Sequence, residues 1–358
     1  MDAFFQKYAL VWIIAISCVC IILCSHVKLT EVYDGKSNHE VWAIYFAHFG
    51  NYETDGKWIN WKIKKGPWVN QSFEPPLSIP SVYYPFLGLY SSHHKPTIKK
   101  HLKMLVESLV SAIIVEWDGP NRKQLIDSDT NFTDTSLQLI FSVASQFNIQ
   151  VGIILSDYYQ QTNESIKEDI NYYLSTYTDK ENCLKINSKP VIFINNKYNY
   201  LIEFAQSNVS FIGFGDTIQD ALNSFENGFI GFSTYSSSLK YSSINDPLKW
   251  KYFSKIFSSR KMQFIPSISP GFNASAFNTQ LSHLSISRGN GKYYESQWKD
   301  AIESGSNYIL INSFNNWFYG NVIEPVESND KFTLNNDIWA GNDSFYFLHQ
   351  TKSWIQKN

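Results

Sequence analysis

Cysteine is scarce: there are four in 358 residues, and Cys18, Cys20 and Cys24 fall in one N-terminal apolar run. Cys183 is left alone in the remainder of the chain. An intrachain disulfide there is excluded, and so is a metal site built from cysteines and histidines. Stability must come from the core alone, and a chain of this length can build one. Net charge is also small, −2, which gives no reason to expect a nucleic-acid partner. No glycine-rich phosphate loop follows any candidate strand, so no nucleotide cofactor is expected, and no metal. What the chain has in quantity is rings: 11 Trp, 22 Tyr and 26 Phe. Rings fill a core by default. They also suit a sugar-binding protein, because the C–H faces of sugars stack on them.

The apolar run is "YALVWIIAISCVCIILC", Tyr8 to Cys24. As a helix it spans about 26 Å, short for a membrane crossing and suited to a thin early-secretory bilayer. Cys24-Ser-His-Val is a poor small-residue cleavage site, which favours an uncleaved signal anchor over a cleaved signal peptide. Lys7 and Lys28 flank the run and set orientation only weakly. Six N-x-S/T sequons follow, at Asn70, Asn131, Asn163, Asn208, Asn273 and Asn342. Each is weak alone, but with the anchor they favour a luminal body. The expected organisation is a short cytoplasmic tail (1–7), an anchor (8–24), a stem (25–40) and one luminal domain (41–358).

Within that domain eight short, near-continuous apolar runs recur: 41–47, 111–117, 150–156, 189–194, 209–215, 228–235, 263–269 and 307–314. Runs without alternation indicate strands covered on both faces, hence a parallel sheet. Amphipathic stretches lie between most of them, such as "KPTIKKHLKMLVESLV", with Ile98, Leu102, Leu105, Leu109 and Val110 as its apolar positions. Eight strands alternating with helices predict a (β/α)8 TIM barrel, with an open doubly wound sheet as the rival. In a barrel, function collects at the C-terminal ends of the strands. Those ends read "FAHFGNYETDGKW", "EWDGPN", "LSDYYQQ", "NNKYN", "FGDT", "TYSSSLKYSS", "SPGFN" and "FNNWFYGN". They are rich in aromatics and amides.

Several of these blocks resemble the glycoprotein endo-α-1,2-mannosidases, glycoside hydrolase family 99. "FGNYETDGKWINW" is similar to the family's G-N-x-x-x-D-G-K-x-x-H-W, with Asp55, Gly56, Lys57 and Trp61 matching. "YYPFLGLYSS" is similar to Y-P-x-L-G-x-Y-S-S, "GFIGFSTY" to G-F-D-G-F-Y-T-Y, and "FIPSISPGF" to F-I-P-S-V-G-P-G-Y. "NGKYYE" matches outright, and "SFNNWFYGNVIE" corresponds to S-F-N-E-W-H-E-G-x-x-I-E. The resemblance covers about Val41 to Val326. It implies a Golgi-anchored, type II luminal barrel that acts on mannose-containing N-glycans or glycoproteins. It implies further that Asp55, Lys57, Trp61, Trp117, Tyr235, Tyr294, Asn315 and Trp317 contact substrate.

The departures fall on the chemistry. In the family the two glutamates of N-E-W-H-E-G are the catalytic pair; here those positions are Asn316 and Tyr319, and the histidine between them is Phe318. H-I-E-P-Y becomes "ILSDYY", which puts Ser156 at the glutamate with Asp157 beside it. S-W-[WY] becomes Glu116-Trp117-Asp118, and the Asp of G-F-D-G-F is Ile230. Glycoside cleavage needs a proton donor on one side and a base or nucleophile on the other. An amide offers neither, and a phenol is a weak acid near neutral pH. Three readings follow: a pseudo-hydrolase that binds mannose-type glycans, an active hydrolase with relocated carboxylates drawn from Glu116, Asp118 and Asp157, and a structural relic that binds no sugar. Glu324 and Glu295 match family glutamates and are expected to hold the shape of the site. The relic reading gains if Trp61, Trp117, Tyr294 and Trp317 are core residues.

Overall fold

Runs of Val, Ile and Phe with almost no polar interruption have to be covered on both faces, and parallel strands wrapped by helices do this. The computed structural model describes residues 38–66, 69–122, 131–158, 160–195, 208–234, 243–327, 339 and 343–358. The strands are β1 (Glu40–Phe46), β2 (Ala112–Trp117), β3 (Gln150–Leu155), β4 (Lys185–Ile186), β5 (Lys189–Asn195), β6 (Ser210–Gly215), β7 (Gly231–Thr234), β8 (Gln263–Ile265), β9 (Ser267–Ile268) and β10 (Tyr308–Ile311). Apart from the two-residue β4, which pairs antiparallel with β5, every pairing is parallel, in the order β8-β7-β6-β5-β3-β2-β1-β10-β9.

The two ends of that order are one stretch of chain. Pro266 separates β8, which pairs with β7, from β9, which pairs with β10. Proline has no N–H to give to a ladder, but its carbonyl takes the N–H of Leu310 at 3.0 Å. The sheet thus curls into a nearly closed parallel barrel of the (β/α)8 kind. Its interior is packed. Trp42 of β1 meets Phe193 of β5 edge to face at 6.2 Å between centroids, and since these strands are not neighbours the contact crosses the barrel.

The covering helices are α1 (Tyr52–Asp55), α2 (Lys95–Glu107), α3 (Phe132–Ala144), α4 (Asn163–Tyr177), α5 (Ile218–Glu226), α6 (Trp250–Ser259), α7 (Lys292–Glu303) and α8 (Tyr346–Lys357). Reciprocal side-chain capping boxes mark where two of them begin. Thr162 and Thr217 each accept the N–H of the residue three further on, and Ser165 and Asp220 return the bond. α8 runs back down the barrel, and the carbonyl of Asn358 takes the N–H of Asn38 at 3.0 Å, just before β1.

The strand expectations lie within a few residues of the observed elements. The amphipathic stretches at 95–110, "DTSLQLIFSVASQF" (134–147), "SIKEDINYYLSTYT" (165–178) and "YYESQWKDAIESG" (293–305) suggest helices and overlap α2, α3, α4 and α7; no such stretch marks α5, α6 or α8. The tail, the apolar run at 8–24 and the stem as far as residue 37 lie outside the described residues, as do Tyr235 and Asn342. Among the described residues no helix is long and apolar enough to cross a membrane.

Candidate functional site

At the C-terminal ends of β2, β3, β5 and β6 a cavity of about 650 Å³ opens, lined by Glu116, Ile154, Leu155, Ser156, Asp157, Asn195, Phe214, Gly215, Asp216, Asp220 and Tyr319. That volume suits a small-molecule ligand. Four of its side chains are carboxylates. Asp220 is committed to structure: its Oδ2 accepts the backbone N–H of Asp216 and Thr217 at 3.1 and 2.9 Å, as the cap of α5. Asp216 accepts from Asn245 Nδ2 at 3.1 Å, and Asp157 from Asn195 Nδ2 at 3.4 Å. Glu116 faces His48, with 3.4 Å between Oε2 and Nδ1. Among the described residues no group of three or more His, Cys, Asp or Glu is placed to hold a metal ion.

Tyr319 reaches the cavity from the loop after β10. Burial pushes its phenol above the ordinary value, and the nearby Glu116 charge pushes it further the same way. Tyr319 is therefore a neutral hydroxyl at any physiological pH. The rest of its loop turns inward. Asn316 is buried; its N–H donates to Ser313 Oγ at 2.8 Å and its Oδ1 takes the N–H of Tyr319 at 3.4 Å. Phe318 stacks on Phe277 at 4.9 Å and on the His48 ring at 5.6 Å. Gly320 has φ +59°, and a Cβ there would stand 2.7 Å from the Asn273 carbonyl, so glycine alone fits.

Beneath this loop lies a polar network sealed from solvent. Asn315 acts as a surrogate strand neighbour: its Oδ1 takes the N–H of Phe46 at 2.7 Å and its Nδ2 donates to the Phe46 carbonyl at 2.9 Å. Tyr90 Oη accepts from Asn315 Nδ2 at 3.1 Å and Trp317 Nε1 at 3.0 Å. Its own proton therefore goes to Glu324 Oε2 at 2.8 Å. His101 Nε2 lies 3.1 Å from Glu324 Oε1, and its Nδ1 lies 2.8 Å from Tyr45 Oη. Burial and the Glu324 charge together hold the Tyr90 and Tyr45 phenols well above their ordinary range.

With the barrel and its mouth defined, the comparisons with known proteins decide the family. The profile of glycosyl hydrolase family 99 matches residues 36–358. The chain belongs to this family. Among its family 99 relatives, glycoprotein endo-alpha-1,2-mannosidase of Mus musculus is 24% identical over 93% of this chain and 77% of its own. Glycoprotein endo-alpha-1,2-mannosidase-like protein of Homo sapiens is 24% identical over 88% of this chain and 74% of its own. The solved GH99 endo-alpha-mannosidase of Bacteroides thetaiotaomicron superposes with a TM-score of 0.80 at 25% identity, over 90% of this chain and 98% of that one.

The residues expected from family 99 to touch substrate are mostly core. Trp117 is fully buried on the far side of its strand from the cavity. It packs on Tyr172 and Tyr173 of α4 and donates to Asp134 of α3 at 3.1 Å. The cause is strand alternation: Glu116 points into the mouth, so the next residue points out. Trp61 is fully buried, stacked on Phe49 at 4.2 Å and donating to the Tyr90 carbonyl. Trp317 is sealed beside it, and Tyr294 lies under α8, bonded to Thr351 at 3.0 Å. A ring with no exposed surface cannot stack on a sugar, so these four are packing residues.

Asp55 ends the short α1 and Lys57 follows just after it, both outside the cavity lining. Asp55 accepts from the Asn51 N–H and pairs with His93 Nδ1 at 3.1 Å. Asp118 is buried and accepts from Thr133 Oγ1 at 3.2 Å. It is not among the residues that line the cavity shared by Glu116 and Asp157. Glu324 does hold the shape of the site, whereas Glu295 pairs with Lys299 on the exposed face of α7. The sequence reading passed over His48, Asn195 and Asp220. His48 and Asn195 stand at strand ends, the signal that would have found them. Asp220 carried a different signal, three residues after Thr217 at a helix start.

Proposed function

We propose that this family 99 chain binds mannose-type N-glycans at the barrel mouth and has lost the family's cleavage reaction. The observation that carries this reading is the state of the loop after β10. It contributes a buried amide, Asn316, and a neutral phenol, Tyr319, where the resemblance places two glutamates. General acid–base help is worth about 10²–10⁴-fold and needs groups that exchange protons near neutral pH. The open cavity beside them keeps hydroxyl, amide and carboxylate groups, the chemistry that recognises sugar hydroxyls. The relatives' printed names, endo-alpha-1,2-mannosidase and its like protein, support a mannose-containing glycan, and glucosylated high-mannose N-glycans are the ligand this reading takes. With the sequons and the N-terminal apolar run, the names support a single-pass type II protein of the Golgi or early secretory membrane with its body in the lumen.

One observation favours a working hydrolase: Glu116, Asp157 and Asp216 line one cavity, and carboxylates about 5 Å apart or about 6.5–9.5 Å apart form retaining or inverting pairs. Another favours a sugar-free relic, namely the burial of Trp61, Trp117, Tyr294 and Trp317. One experiment separates the three. The chain is incubated with an N-glycan capped by glucosyl-α-1,3-mannosyl-α-1,2-mannose, released disaccharide is followed by mass spectrometry, and binding is followed by calorimetry. Binding without release is expected. Release establishes the hydrolase, and neither release nor binding establishes the relic.

A further inference from the structure

We propose that Glu116 is the carboxylate that grips the ligand in this cavity, with a vicinal diol of a hexose as its target, and that His48 is a positioning residue acting through it. This rests on the reading of the cavity as a glycan site. The Glu116 side chain keeps a quarter of its surface exposed at the lining, while His48 behind it keeps 11%. His48 is itself clamped: its ring lies against Phe46, Phe49 and Phe318 at 5.5, 4.7 and 5.6 Å between centroids. An imidazole fixed on three sides fixes the carboxylate it faces.

One further atom marks this corner as made for a polar guest. Ser156 Oγ is buried and has no hydrogen-bond partner among the described residues. Buried polar atoms left unmatched are costly and uncommon, and Ser156 lines the same cavity one strand along from Glu116. The phenol of Tyr319 feels the Glu116 charge, so the two groups share one space. A carboxylate there accepts two neighbouring hydroxyls at once, through charge-assisted bonds roughly twice as strong as neutral ones. In the family pattern the position of Glu116 is a serine and that of Tyr319 a glutamate. This chain has its negative charge on the opposite side of the same opening.

The test is calorimetric binding of methyl α-1,2-mannobioside and its monodeoxy analogues to the full chain. Glu116→Gln should weaken binding about 10- to 100-fold. At least one deoxy analogue should bind the wild type more weakly yet bind Glu116→Gln no worse than the parent sugar does, the coupling expected of direct contact. His48→Phe should show the same loss. His48→Asn, whose amide N–H can replace Nδ1–H, should recover it. Glu116→Ser serves as the second variant if Glu116→Gln melts early, with the same expected loss. Unchanged affinity, or deoxy penalties that add independently of residue 116, overturns the assignment of Glu116. Failure of the wild type to bind any of these sugars overturns the glycan-site reading instead.

Discussion

The two sides of the barrel mouth are built on opposite principles. On the side of β10 and β1, Tyr45, Tyr90, His101, Asn315, Trp317 and Glu324 form a network whose described atoms bond one another, with Glu324 and His101 fully buried. On the side of β2 and β3, Glu116, Ser156 and Asp157 face an open cavity. The resemblance places the catalytic glutamates on the first side. On the proposed reading, that side keeps a sealed scaffold, down to Glu324, and presents an amide and a phenol where the resemblance places the glutamates. Packing and chemistry would then be separable, even within ten residues.

The largest expected effect tests that contrast directly. Glu324→Ala strips the acceptor from two buried donors and should destabilise the chain by about 3–5 kcal/mol in denaturant unfolding. Glu116→Gln should cost within about 0.5 kcal/mol, as for a solvent-facing group. Equal losses would erase the distinction between the two sides.

A smaller effect probes the rim. Burial alone would raise the Asp55 carboxyl, but hydrogen bonds from His93, Ser91 and the Asn51 backbone outweigh it and leave it below its ordinary value. The folded state therefore binds this proton less readily than the unfolded state. The stabilisation is present above the unfolded value and is lost as pH falls through the lower folded one. Asp55→Asn should flatten the acid limb of stability below about pH 4 and leave its shape near neutral pH unchanged. An unaltered acid limb would detach Asp55 from the rim's electrostatics.

The smallest effect reads the contrast from outside. Asn163 and Asn208 are exposed, whereas Asn273 is buried beside the Tyr319 loop, its Oδ1 held by Ser275 at 2.7 Å and its N–H by the Tyr319 carbonyl at 2.8 Å. Asn70 is half-buried and donates to Thr279, and Asn131 accepts from the Asn121 N–H. Glycopeptide mass spectrometry after secretory expression should find glycan on Asn163 and Asn208 and none on Asn273. A glycan on Asn273 would mean that this side of the mouth is open.

The barrel was legible because strands covered on both faces spell themselves out as unbroken apolar runs. The site was legible only in its address. Strand ends pointed to Glu116, Asp157 and Tyr319, but a run such as "SAIIVEW" does not say which alternate side faces the axis, so Trp117 was placed in the mouth when it belongs to the helix layer. The tryptophans of the matched blocks misled for the same reason: a motif keeps a buried ring as faithfully as a binding one. His48 stood at a strand end, but its pairing with Glu116, 68 positions later in the chain, had no local signature.

The bond between Asn38 and Asn358 also has a practical side. Both ends of the described body leave from the floor of the barrel, opposite the strand ends that carry the cavity. A tether at either end, whether an affinity tag on a sensor chip or a linker to a bead, leaves the opening turned outward. Immobilised protein is then a fair proxy for free protein in any glycan-capture assay.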